Sequence, residues 1–351
     1  MFEAIAPLVY ALGFSWRKRP LVRQFLGGSE IRFVRLAAEV PNGATVAVWA
    51  SGPYGTDFLD AAKGTSPATR CTPLFVEDGF LRSVGLGADL VRPLSWVIDR
   101  RGIYYDPSRP SDLEHLLQTA EFDPDTVNRA ARLRENLVAS GLTKYNVGTK
   151  MWSRPARAGQ KPIVLVPGQV ETDASIRYGA RGIKTNLALL EAARQAHPDA
   201  WLVYKPHPDV VAGLRGKGVR EDQAAWCCDE LVTDVAMGAL LEAVDIVHVM
   251  TSLAGFEALL RGKQVFCHGV PFYAGWGLTE DGLNVPRRAR KLDIDQLVAG
   301  VLLQYPTYVS AVTGRICPAE QALAELQAWR SEASPELPYW RKLLRPLVKR
   351  P

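Results

Sequence analysis

Residues 162–179 read PIVLVPGQVETDASIRYG. Ile163 to Val166 is an unbroken apolar run, short and closed at both ends by proline, and it predicts a buried strand. A long polar loop follows from Pro167 to Tyr178, and a helical pattern then covers Thr185 to Ala196. The same order recurs downstream. Trp201–Tyr204 leads into Lys205-Pro206-His207-Pro208, Asp245–Met250 precedes a helix over Ser252–Arg261, and Gln264–Cys267 forms another strand. Upstream, TVAVWA (45–50) ends in the turn-rich SGPYG, and TPLFV (72–76) runs straight into Glu77-Asp78-Gly79. Trp96–Asp99 and Ile103–Asp106 flank Arg100-Arg101-Gly102 and predict a hairpin, while residues 110–140 read as mostly helical. Strands alternating with helices specify an α/β fold, whose ligands collect at the C-terminal ends of the strands.

The basic, polar segment KMWSRPARAGQK (150–161) reads as a linker, dividing the chain into units 1–155 and 156–315 with a helical tail at 316–351. A length of 351 residues suits two domains, and 47% hydrophobic with 23% charged residues excludes disordered and fibrous classes. A net charge of +5 demands no nucleic acid. Five cysteines without a CxxC pair argue against a disulfide scaffold or zinc site and point to a reducing cytoplasm. No run approaches the roughly 18–20 apolar residues of a spanning helix. Met1–Gly13 contains Glu3 and no basic n-region, so no secretory signal is expected.

Four polar stations follow predicted strands. Glu77-Asp78-Gly79, with Arg82 close behind, pairs two carboxylates that raise one another's pKa when buried, which suits acid/base work; a solvated turn is the plain alternative. Gln169 to Tyr178 offers Asp173 near Arg177, a carboxylate beside a cation, although Asp173 or Ser175 can equally cap a helix. His207, between two prolines, projects from extended backbone. His197-Pro198 is a second such pair, but it falls at the opposite edge of the sheet and is discounted. Thr251-Ser252 opens a helix, where hydroxyls and free N–H groups suit a phosphate or make an ordinary cap, with Glu257 a turn later for ribose hydroxyls. Asp123-Pro124-Asp125 and Asp293-Ile294-Asp295 resemble metal-binding DxD signatures but begin helical patterns, so they read as caps. His248 reads as a core residue, and His268 stays open.

The order Glu77-Asp78-Gly79, His207-Pro208, Thr251-Ser252 resembles the motifs of bacterial sialyltransferases and related enzymes that use CMP-activated sugars. Longer phrases narrow the likeness. FVEDGFLRSVGLG (75–87), GIYYD (102–106), GQVETDASIRYG (168–179) and GVPFYAGWGLTED (269–281) resemble the retaining β-Kdo transferase modules of Gram-negative capsule synthesis, Kdo being 3-deoxy-D-manno-oct-2-ulosonic acid. The opening ALGFSWRKRPLVRQFL is more similar to the second module of the two-module enzymes. The resemblance implies a GT-B-like fold of two Rossmann-like domains. It implies that Lys205, His207, Pro208, Thr251, Ser252 and Glu257 bind CMP, and that Tyr273 and Trp276 shape the donor pocket. Gln169, Arg82 and Tyr178 join the substrate site, and Arg177 or Lys205 meets the Kdo carboxylate. Retention requires a nucleophile, assigned to Asp173, with Glu77 as acid/base and Asp78 as second choice. No metal or other cofactor is required, because CMP leaves with one phosphate that Lys and His can neutralise.

The implied partners are the CMP-sugar, a Kdo-terminated phosphatidylglycerol-linked acceptor, other capsule assembly proteins and the inner face of the cytoplasmic membrane. Two basic, Trp-bearing ends (15–25 and 338–350) have the composition of an interfacial segment, or of tails that pack back on the fold. Two competing readings are a CDP-glycerol-type glycerophosphotransferase and a non-catalytic capsule assembly or export scaffold.

Overall fold

The computed structural model describes residues 5–61, 71–83, 92–144, 148 and 150–332. The glycine-rich end of the 75–87 phrase and the basic end 338–350 lie outside these residues. In chain order the strands are β1 (Leu8–Leu12), β2 (Glu30–Val34), β3 (Thr45–Trp49), β4 (Thr72–Asp78), β5 (Ser95–Asp99), β6 (Ile163–Pro167) and β7 (Trp201–Lys205). They continue as β8 (Glu230–Leu231), β9 (Ile246–Val249), β10 (Gln264–Cys267), β11 (Glu280–Asp281), β12 (Pro306–Val309) and β13 (Ile316–Cys317). They form two sheets. The first runs β13-β12-β5-β4-β3-β1-β2, with β1 to β4 mutually parallel and β5, β12 and β13 antiparallel to their neighbours. The second, β11-β10-β9-β6-β7-β8, is parallel throughout. Each of its central strands is closed by helices that begin at side-chain caps: Thr185 for Asn186–Ala196 and Ser252 for Leu253–Leu259. The α/β architecture read from the sequence, built on largely parallel sheets, is the one observed.

Three details differ from the sequence reading. Ile103–Asp106 is not a strand, and β5 pairs instead with β4 and β12. The reason is Asp99, fully buried at the end of β5. Its carboxylate accepts the N–H groups of Arg101 (3.0 Å), Gly102 (2.9 Å) and Asp112 (2.8 Å) and the Tyr305 hydroxyl (2.8 Å), which turns the chain away from the sheet. Strands β1 and β2 carried no sequence prediction. Finally, the chain re-enters the first sheet at Pro306, so β12 and the start of the tail belong with the first unit and not with 156–315. The crossing is made by the helix Ile294–Val298 and a π-helical turn, Ala299–Gln304. There Gly300 lies so close to Leu117 that a Cβ would come within 2.5 Å of its Cδ2. Asp293 caps this helix and Asp123 caps Pro124–Ala139, as read from the sequence.

The tail helix Ala319–Glu332 folds onto the first unit, where Glu320 pairs with Arg129 (2.5 Å) and Glu325 accepts from Ser310 (2.6 Å). Because four donors share the Asp99 carboxylate, Asp99→Ala is expected to cost about 2–4 kcal/mol in urea unfolding, and Asp99→Asn less. An unchanged midpoint for Asp99→Ala would contradict this role.

Candidate active site

Between the two sheets lies a cavity of about 810 Å³, facing the ends of β4, β6, β7 and β9. Of the residues anticipated from sequence, Glu77, Asp78, Arg82, Gln169, Asp173, Lys205, His207, Pro208, Thr251, Ser252 and Glu257 all line it. Arg177, Tyr178, Tyr273 and Trp276 do not. Arg177 is exposed and stacks on the ring of Tyr178, 5.2 Å from its centroid. Tyr273 and Trp276 are fully buried behind the wall. Tyr273 donates to the Ser252 carbonyl, and Trp276 donates to the Phe272 carbonyl at 2.8 Å. They pack behind the wall that carries Ser252 and do not line the cavity.

On the first wall, β4 delivers Glu77 and Asp78 on alternate faces. Gly79 then turns the chain against Ser95, whose Oγ would lie 2.4 Å from any added Cβ. Glu77 is buried and accepts the N–H groups of Ser51 and Asp78, both at 3.1 Å. Burial, reinforced by the neighbouring Asp78, pushes its carboxyl up to about 7. Asp78 is committed elsewhere, to an ion pair with the buried Arg82 at 2.7 Å. The structure thus separates two carboxylates that adjacency left equivalent: one is poised near neutrality and the other is paired.

On the second wall, Asp173 caps the short helix Ala174–Gly179, accepting the Ala174 N–H (2.9 Å) and the Ser175 hydroxyl (3.1 Å). The cap that the sequence allowed is therefore realised, at a residue that also faces the cleft. His207 accepts the Asp209 N–H at Nδ1 (3.1 Å), so the neutral ring carries its proton on Nε2. Burial lowers its pKa to about 4, against an opposing pull from Asp173. It is a neutral hydrogen-bond donor at pH 7. Lys205, 4% exposed, donates to the Thr233 carbonyl (3.2 Å), and burial lowers its pKa. Gln169 bridges two strand ends, donating to Thr251 Oγ1 (3.1 Å) and accepting the Thr251 N–H (2.9 Å). Ser252 caps its helix through the Ala254 N–H (3.2 Å). Glu257, pushed up to about 7 by burial, accepts the Lys144 N–H at 2.7 Å and so ties the two units together.

The model of the family described as "Capsule polysaccharide biosynthesis protein" matches residues 68–314. The chain belongs to the capsule polysaccharide biosynthesis family. It is 42% identical over 321 residues to the capsule polysaccharide modification protein LipA of Neisseria meningitidis serogroup A, covering 90% of this chain but 44% of LipA. It is 41% identical over 286 residues to the lipopolysaccharide-processing protein LpsZ of Rhizobium meliloti, covering 81% of this chain and 65% of LpsZ. The chain thus spans less than half the length of LipA. Two solved structures of Thermosulfurimonas dismutans KpsC each cover 92% of this chain and are themselves covered to 99%. The β-Kdo 2,7 transferase is 36% identical with a TM-score of 0.74, and the β-Kdo 2,4 transferase is 31% identical with a TM-score of 0.78. The capsule Kdo-transferase module anticipated from FVEDGFLRSVGLG and FYAGWGLT is the kind of protein that this member of the family resembles.

Several residues of the site in this family member carried no motif. Lys144 and Arg215 line the cleft from segments with no readable pattern. Tyr105 also lines it, and burial raises its phenol well above the ordinary range; its only sequence signal was the GIYYD phrase. Asn186 is buried and fixes Gln169 by accepting its N–H and donating to its carbonyl, both at 2.9 Å. The discounted His197 and the open His268 do meet, through the buried His248. The three rings form a chain of hydrogen bonds of 3.0 Å each, outside the residues that line the cleft. Assigned NMR signals should show His207 neutral down to about pH 4; a midpoint near the ordinary 6.5 would contradict the burial argument.

Proposed function

We propose that the chain is a retaining β-Kdo transferase that moves Kdo from CMP-β-Kdo to a Kdo-terminated, phosphatidylglycerol-linked acceptor in capsule synthesis. The observation that carries this reading is the meeting of Asp173, Glu77, Lys205 and His207 in one cleft, in a chain that superposes almost wholly on Kdo transferases. Lys205, with its short reach to Thr233, stands against the donor's negative charges. His207 offers Nε2–H to the phosphate, Thr251 and Ser252 lie beside it, and Glu257 takes the ribose hydroxyls. Arg177 is left out of this role by its position outside the cleft.

In the first step an Asp173 oxygen attacks the anomeric carbon. The bond from that carbon to the phosphate oxygen breaks, and CMP departs with the electron pair. In the second step Glu77 takes the proton of the acceptor hydroxyl, whose oxygen displaces Asp173 from the same carbon. Two inversions give retention. No step calls for a metal.

The site of action would be the cytoplasmic membrane surface. Trp16 is 74% exposed beside Arg17, whose guanidinium lies 5.2 Å from its ring centroid, a pairing suited to an anionic leaflet. No described helix is long and apolar enough to cross a membrane.

Purified protein given CMP-Kdo formed in situ and a synthetic Kdo-terminated acceptor should add Kdo, read by mass spectrometry, and should not use CDP-glycerol. Asp173→Ala should abolish transfer; normal transfer by this variant would overturn the assignment. Glu77 acts as the base only when ionised, and its pKa is raised to about 7. The kcat/KM for acceptor should therefore fall as pH drops below about 7, about tenfold per unit. Glu77→Gln should cost about 10²–10⁴-fold. Glu257→Gln should weaken donor affinity yet keep the acidic limb, and loss of the limb in that variant would reassign it.

A further inference from the structure

We infer that Tyr104 is a further catalytic residue of the cleft, and that its phenol O–H donates to the carboxylate which the transferred sugar carries on its anomeric carbon. This deepens the transferase reading and rests on it.

Tyr104 belongs to the turn that the Asp99 carboxylate imposes after β5. The turn is closed by the Gly102 N–H on Asp99 (2.9 Å) and the Asp106 N–H on the Ile103 carbonyl (2.9 Å). It is seated between the two walls. On the Glu77 side, the Tyr104 ring meets Phe80 edge-on at 5.0 Å. On the other, Phe272 of the second unit stands 5.8 Å away. The Tyr105 carbonyl oxygen lies 3.4 Å from where a Cβ of Gly179 would stand, and Gly179 ends the helix that Asp173 caps. The same turn thus touches the wall of the base and the helix of the nucleophile, and Tyr104 lines the cavity between them.

The hydroxyl is open. Phe80, Tyr105 and Phe272 hold the ring by edge contacts of 5.0, 5.2 and 5.8 Å, yet the hydroxyl makes no hydrogen bond among the described residues. The Tyr105 hydroxyl is also unpartnered, but it is sealed from solvent. Tyr104 is half-buried, and its hydroxyl is not sealed in that way, so it opens on the cavity. The charges of both walls reach it. Burial raises its pKa, Lys144 opposes the rise, and Glu77, Asp78 and Asp173 add to it. It therefore keeps its proton at pH 7 and stands between nucleophile and base without bonding to either.

The chemistry of the sugar names what fills that gap. Asp173 and the acceptor oxygen beside Glu77 approach the anomeric carbon from opposite faces. The other groups on that carbon then point into the belt between the two carboxylates, where Tyr104 stands. In a 2-ulosonic acid one of those groups is itself a carboxylate, the strongest acceptor in the belt. Asp173 must approach a carbon that bears a charge of its own sign. A fixed donor to the sugar's carboxylate lowers that repulsion in the transition state. Arg177, the cation anticipated for this carboxylate, lies outside the cleft.

The test is kcat/KM for the donor in the transfer assay, measured with CMP-β-Kdo and with its C1 carboxamide, beside calorimetric titration with CMP. Tyr104→Phe keeps the ring and removes only the O–H, so it should bind CMP as wild type does. Its kcat/KM for CMP-β-Kdo should fall about 10- to 100-fold, the scale of one charge-assisted hydrogen bond. With the carboxamide, a weaker acceptor, the same substitution should cost less than about threefold. Wild-type kcat/KM in Tyr104→Phe overturns the inference, and so does an equal loss with acid and amide. Lost CMP binding in that variant shows a structural role and overturns it as well. A wild-type protein that transfers nothing from CMP-β-Kdo refutes the transferase reading and the inference together, whereas wild-type transfer without the acid-specific loss refutes the inference alone.

Discussion

Glu114 holds the two units at a fixed separation. It lies buried in the helix Asp112–Thr119 and accepts from Arg287 Nε (2.8 Å) and Arg288 Nε (3.0 Å), both carried by the segment that follows the second sheet. Arg288 is itself buried and also donates to the carbonyls of Pro271 and Ala274 at 2.7 Å. The same cluster therefore fixes the FYAGWGLT segment that backs Ser252. Removing the carboxylate would strand a buried cation, at a cost of about 3–5 kcal/mol. The contact from Arg134 to Asp295 (2.7 Å) and the seating of Gly300 on Leu117 extend this seam. A cleft whose walls come from two sheets keeps its geometry only because the seam behind it does not slide.

With that spacing set, burial divides the labour among the charged groups. Glu77 and Glu257 are both driven towards neutrality by desolvation, and His207 is held uncharged by the same cause. Asp78 is neutralised by Arg82, and Asp173 stays at the more exposed mouth of a short helix. Cations line the cleft on both walls, Lys205 on one and Lys18 and Arg92 on the other.

Much of this was legible in the chain. The strands before Glu77, Gln169, Lys205 and Thr251 stood out because each is a short apolar run ending in polar residues, and all four stations reach the cleft. What escaped has physical reasons. The carboxylate of Asp99 overrode the strand propensity of Ile-Tyr-Tyr by satisfying backbone N–H groups in a turn. Tyr273 and Trp276 sit in a highly specific phrase, but their role is to pack behind the wall. Lys144 and Asn186 act through long-range contacts with Glu257 and Gln169, which no spacing announces. The return of the chain to the first sheet depends on β12 pairing with β5, a long-range contact that local pattern does not encode.

The central claim is that the cleft works through a covalent sugar on Asp173. Incubation with CMP-β-Kdo in the absence of acceptor, followed by intact-mass and peptide mass spectrometry, tests it most directly. The account predicts a gain of one Kdo, localised to Asp173 and lost on adding acceptor. A Kdo attached to any other residue, or acceptor turnover in a protein that never carries the sugar, would contradict it.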